Sequence, residues 1–82
     1  MDPVDGNAIA GSLYAAFDRE MTSVRGTCTT CGDSHPIAQL QVYLRAPGAV
    51  ARCPVCGEVQ IVLIEARGVV CVDVSGFTSL RT

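Results

Sequence analysis

Two cysteine pairs share one spacing and concentrate the chemistry of this 82-residue chain: Cys28-Thr29-Thr30-Cys31-Gly32 and Cys53-Pro54-Val55-Cys56-Gly57. Two residues between thiols let a tight turn aim both sulfurs at one point, and the glycine that follows adopts the positive φ that closes the turn. Cys28, Cys31, Cys53 and Cys56 therefore read as the two knuckles of a single tetrathiolate metal site. In each knuckle the amides of the second intervening residue and of the second cysteine are expected to point at the first sulfur, dispersing its charge. Pro54 fits this geometry, because its missing amide falls where none is needed.

The full pattern, C-x2-C-x21-C-x2-C, exceeds by one residue the gap of about 15 to 20 residues usual for zinc sites, which a longer loop accommodates. Four sulfur ligands close a tetrahedral shell and leave no position for water or substrate, so the expected occupant is one structural Zn2+ per chain, with iron as the alternative. Eight acidic residues are dispersed without a paired acid/base arrangement, and no nucleophile–His–acid grouping, phosphate-binding glycine loop or dinucleotide fingerprint is present. Catalysis is not expected. His35, four residues after Cys31, reads as a surface histidine beside Pro36 because the cysteines already complete the shell. The fifth cysteine, Cys71, lies in a run of valines and reads as a buried, inert thiol.

A chain of this length forms one domain whose core alone is marginal, so a metal staple has a clear physical role. There is no lysine, the six arginines are scattered, and the formal charge is −2. Phosphate binding needs a basic footprint and stacking aromatics, so no nucleic-acid partner is expected. The opening Met1-Asp2-Pro3-Val4-Asp5 is acidic where a secretory signal is basic, and no apolar run is long enough to span a bilayer. The expected setting is cytoplasmic, where CxxC pairs act as metal ligands rather than disulfides.

The elements around the knuckles follow from periodicity. Asp5 or Asn7 caps a predicted helix over 7–18, with Ile9, Leu13, Ala16 and Phe17 on one face and Leu13 and Phe17 as its anchors. Alternation predicts a strand over Ile37 to Arg45, broken at Ala46-Pro47-Gly48, with Ala49 to Cys53 leading into the second knuckle. Val59 to Ala66 and Val69 to Val74 flank Arg67-Gly68 as a hairpin. The Val59–Ala66 strand is apolar on both faces, and the helix is expected to cover the face with Val62 and Ile64. Otherwise a protein partner or a second copy of the chain covers it, because exposed apolar patches of that size are uncommon in monomers. The organisation predicted is 1–25 as a helical segment, 26–75 as the metal-bearing unit and 76–82 as a tail without assigned structure.

The order knuckle, strand, knuckle, hairpin resembles the zinc ribbon, whose two knuckles clamp one ion at the end of an antiparallel sheet. The implied fold is a small metal-stapled α+β unit, an N-terminal helix plus a three- to four-stranded antiparallel sheet. Met1-Asp2-Pro3-Val4-Asp5-Gly6-Asn7-Ala8, CxxCG, Arg45-Ala46-Pro47-Gly48 and CPxCG together resemble a family of small uncharacterised bacterial zinc-ribbon proteins, common in actinobacteria. That resemblance implies metal ligation by the four cysteines and no established activity. The knuckles are also similar to those of rubredoxin, which implies iron and single-electron transfer, but this chain has a shorter gap and no tryptophan. The reading is a non-enzymatic zinc-binding module that engages another protein or a second copy through its apolar surface, with electron transfer or nucleic-acid binding in transcription as alternatives.

Overall fold

The computed structural model describes residues 3–45 and 47–81; the expectations that fall on Met1, Asp2, Ala46 and Thr82 lie outside it. Asp5 caps the N-terminal segment as predicted, but the first turn is 3-10 and the α-helix proper begins at Ala10 rather than at residue 7. The Asp5 carboxylate accepts from the Asn7 amide at 3.0 Å, capping a 3-10 turn over Gly6–Ile9 that runs into α1 (Ala10–Phe17). Asp18 ends the helix in the left-handed region (φ 57°), its amide donating to Tyr14 O at 2.8 Å. Leu13 is fully buried, but Phe17 is 37% exposed. The last turn overhangs the core, so Leu13, with Ile9, is the anchor and Phe17 is not.

The strands divide between two antiparallel sheets. β1 (Arg25–Cys28), β2 (Ser34–Pro36) and β7 (Phe77–Arg81) form one in the order β2-β1-β7; β3 (Gln41–Arg45), β4 (Gly48–Arg52), β5 (Val59–Ala66) and β6 (Val69–Asp73) form the other in sequence order. Each sheet contributes one knuckle, the first in the β1–β2 turn and the second in the β4–β5 turn. The core between α1 and the sheets is built from Ile9, Leu13, Met21, Val24, Ile37, Leu40, Val42, Ala49, Ala51, Ile61, Leu63 and Phe77. Among the described residues no helix is long and apolar enough to cross a membrane.

Two segments depart from the periodicity reading and one expected turn is found. Residues Ile37–Gln39 form a 3-10 turn rather than the start of a strand, because burying both Ile37 and Leu40 requires a three-residue period. The C-terminal segment is not featureless: Phe77–Arg81 pairs with β1, burying Phe77. Arg67 and Gly68 both take positive φ (54° and 76°), as a type I′ hairpin turn demands.

The helix also covers the opposite face of β5 from the one expected. α1 packs against β6 on the inner face of the larger sheet, with Ser12 hydrogen-bonded to Glu65 of β5, whereas Ile64 stays 48% exposed and Val62 half-buried on the outer face. The reason is connectivity. Val42, Ala49, Ala51, Ile61 and Leu63 are all buried on the inner face, and the short link from Val4, bridged to Val42 on β3, delivers the helix to that side. Cys71, opposite Ile64 in β6, is accordingly exposed rather than buried.

Candidate metal centre

The two knuckles are built by the same hydrogen bonds. Cys28 N donates to Asp33 O at 2.9 Å and Gly32 N to Cys28 O at 3.0 Å; Cys53 N donates to Glu58 O at 2.9 Å and Gly57 N to Cys53 O at 3.0 Å. Gly32 (φ 76°) and Gly57 (φ 80°) close the two turns in the left-handed region, where a side chain would be strained. Around the second knuckle, Arg52 Nη1 donates to Gly57 O at 2.9 Å.

These turns bring the four predicted sulfurs together. All lie within 4.8 Å of one another, with Cys28 to Cys56 and Cys31 to Cys53 each 3.7 Å apart across the two knuckles. A tetrahedron with metal–sulfur bonds of about 2.3 Å has edges of about 3.8 Å, whereas a disulfide needs about 2.05 Å. All five cysteines are free thiols, and Cys28, Cys31, Cys53 and Cys56 are positioned to bind a metal ion. Cys28 and Cys53 are buried while Cys31 and Cys56 are exposed, so one sulfur of each knuckle faces inward and the other faces solvent.

Amide placement differentiates the thiols. Backbone amides of Cys31 and Thr30 point at the Cys28 sulfur and hold its pKa at about 6, against the opposing effect of burial. In the second knuckle the Val55 amide lies 3.4 Å from the Cys53 sulfur. At Cys31 the Asp33 amide pulls the other way, but burial and the adjacent Cys53, Cys28 and Cys56 sulfurs push the thiol up to about 12. Cys56 is likewise raised, the Glu58 amide being outweighed by burial and by Cys28 and Cys53. Without an ion the cluster thus favours one thiolate at Cys28 and keeps protons on the two exposed thiols. Desolvation within the cluster and the crowding of its sulfurs are the causes, and a divalent cation relieves the crowding.

His35 is not on the surface. It is 2% exposed, its Nδ1 lies 2.9 Å from the Asp33 carboxylate and its Nε2 lies 3.1 Å from Gln60 Oε1, with the Phe77 ring tilted against it. β2 pairs with β1 so that His35 sits opposite Gly26 and faces the core. Both ring nitrogens are occupied, which leaves none for a metal.

Gln60, 1% exposed, is placed by an irregularity in the β4–β5 ladder. Ala51 pairs with Ile61 and Arg52 with Val59, so Gln60 is the extra residue and points inward together with Ile61. Its Nε2 is buried without a partner at ordinary hydrogen-bond geometry, yet it lies near enough to the Cys28 sulfur to help lower that thiol's pKa. We read this as a long N–H···S contact, because sulfur is a large and diffuse acceptor. The opposite amide orientation would set a carbonyl oxygen against the thiolate. An orphaned buried donor beside the cluster is what a metal-bound thiolate satisfies, so the donor set fits a thiophilic cation.

His35 and Gln60 were not singled out as site residues by sequence reasoning. The available signal was their shared spacing, each four residues after the second cysteine of its knuckle, within Cys31-Gly32-Asp33-Ser34-His35 and Cys56-Gly57-Glu58-Val59-Gln60. The chain belongs to a family of unknown function (DUF6510), whose model matches residues 1–82. No curated protein and no solved structure matches it.

Proposed function

We propose that Cys28, Cys31, Cys53 and Cys56 hold one structural zinc ion and that the chain is a cytoplasmic, non-enzymatic, zinc-ribbon-like module that binds another protein chain. The observation that carries the metal reading is the pair of cross-knuckle sulfur separations at 3.7 Å, the edge length of a tetrathiolate site. A divalent ion with four thiolates supplies cross-linking rather than Lewis-acid chemistry, because no position stays open. It would join the β1–β2 turn to the β4–β5 turn and so tie the two sheets together.

Support for an interaction role comes from the outer face of the larger sheet, where Ile64 and Val69 are exposed and Val62 half-buried, with no covering layer among the described residues. The scattered arginines and net negative charge favour a protein over a nucleic acid. A second reading, single-electron transfer by iron, draws on the exposure of Cys31 and Cys56, which gives an electron a short path to the surface.

Elemental analysis of protein made with zinc and iron equally available tests both readings. About one equivalent of zinc in a colourless protein supports the proposal, and Cys71→Ser retains that metal. A red protein with thiolate-to-iron absorption and a reversible one-electron couple overturns it in favour of electron transfer.

A further inference from the structure

Four strands lie at sheet edges, and three of them are blunted in the ways that prevent edge-to-edge pairing. β3 is covered by Val4, whose amide and carbonyl bond Val42 at 2.9 and 2.7 Å, and it ends in Arg45. β2 is three residues long and ends in Pro36. β7 presents exposed Thr78, Ser79 and Arg81. β6 packs against α1, but among the described residues no backbone bond outside its ladder with β5 reaches its edge. Its sequence is Val-Val-Cys-Val-Asp, its ladder with β5 has no bulge, and β5 is its one strand partner among the described residues.

The hairpin turn fixes which groups β6 leaves free. In a two-residue hairpin the flanking residues, Ala66 and Val69, exchange both hydrogen bonds, and so do Ile64 with Cys71 and Val62 with Asp73. Val70 and Val72 therefore turn their N–H and C=O groups to the open edge.

We propose that β6 pairs antiparallel with β6 of a second copy of this chain, about a two-fold axis at Cys71, joining two four-stranded sheets into one of eight. In this register Val70 exchanges both bonds with Val72 of the second copy, and the symmetry-related pair does the same. Every outward group of both valines is satisfied. Axes at Val70 or Val72 leave more of the strand unpaired. Cys71 faces its own symmetry mate in the non-hydrogen-bonded position, with Cα atoms about 4.5 Å apart. It is flanked on the outer face by Ile64 of each copy. Asp73, the only charge in the strand, falls opposite Val69 of the second copy and meets no like charge. A second copy thus supplies by symmetry the complement that an unrelated strand would have to match independently. The inference rests on the interaction-module reading and names its partner; it does not depend on the identity of the metal.

The test is sedimentation equilibrium of the full chain in reducing buffer, with metal content measured on the same samples. The parent is expected to be a dimer that dissociates on dilution. Cys71→Lys and Cys71→Glu alter an exposed side chain, so each keeps its metal and fold; each alone is expected to self-associate at least about tenfold more weakly, because residue 71 faces itself. Mixed together they are expected to recover the dimer as a heterodimer. Val70→Pro removes an outward amide without touching the β5 ladder and is expected to weaken pairing similarly. A metal-loaded parent that stays monomeric at millimolar concentration, charge variants that dimerise as tightly as the parent, or no recovery on mixing would each overturn the proposal. A metal-free dimer with the same dependence on residue 71 would uphold the pairing while removing the metal reading.

Discussion

His35 and Gln60 occupy corresponding positions in the two knuckles, and their side chains meet at 3.1 Å between the two sheets. The contact is one link in a chain from the Asp33 carboxylate through His35 to Gln60, whose buried nitrogen lacks a partner at ordinary hydrogen-bond geometry and helps lower the Cys28 thiol's pKa. The half-exposed end is Asp33 and the sealed end is a thiol. Hydrogen bonds to a thiolate disperse its charge, and deleting one such outer partner typically lowers metal affinity by about 10- to 100-fold.

Gln60→Leu keeps the bulk and removes the donor, and it also strips His35 of its acceptor. Chelator competition is expected to show metal binding weakened by about tenfold or more, with a shifted thiolate-to-metal band when cobalt is substituted. Gln60→Glu, which sets a carboxylate against Cys28, should weaken binding further. Unchanged affinity and spectra in both variants would mean that the amide serves packing alone.

Proton release follows from the thiol environments. At neutral pH Cys28, held at about 6, is already a thiolate, whereas Cys31, at about 12, and the raised Cys56 keep their protons. An ion that takes all four sulfurs displaces at least those two protons, so affinity rises with pH and falls on acidification. Titration calorimetry in buffers of differing ionisation enthalpy should find roughly two or more protons released per ion at neutral pH. Less than one would show that the exposed thiols are not ligands.

Metal removal should act on both sheets at once, because each supplies one knuckle. Structural zinc contributes about 10–16 kcal/mol in small fingers, more than the net stability of many domains. Strong chelation is expected to abolish strand signal cooperatively and to collapse amide protection in β1 and β5 together. Persistent protection in the four-stranded sheet would show that α1 and the hairpin suffice there.

Helix packing separates Leu13 from Phe17. Leu13→Ala empties a fully buried position and should destabilise by about 2–5 kcal/mol. Phe17→Ala, at a position 37% exposed, should destabilise by less than about 1.5 kcal/mol. Equal losses in thermal unfolding would place Phe17 in the core after all.

The four-cysteine cluster was legible in the sequence because knuckle geometry is local: two intervening residues and a glycine determine where the sulfurs point. The hairpin over β5 and β6 was legible for the same reason. What escaped was set by distant parts of the chain. The side of β5 that α1 covers depends on the Val4–Val42 bridge, and the burial of His35 depends on β7 arriving to place Phe77 against it. Ile37 to Leu40 satisfied alternation on paper, yet both apolar ends fit the core by a 3-10 turn. Gln60 was hidden in an apolar run because a bulge, which period-2 reading cannot foresee, reversed the face it occupies.

X-ray absorption on the metal as purified, from cells grown without added metal, tests the tetrathiolate zinc centre most directly. The expected spectrum has a zinc edge and four sulfur scatterers at about 2.3 Å, with no oxygen or nitrogen in the first shell. An iron edge, or a shell in which a nitrogen or oxygen replaces one of the sulfurs of Cys28, Cys31, Cys53 and Cys56, would contradict it.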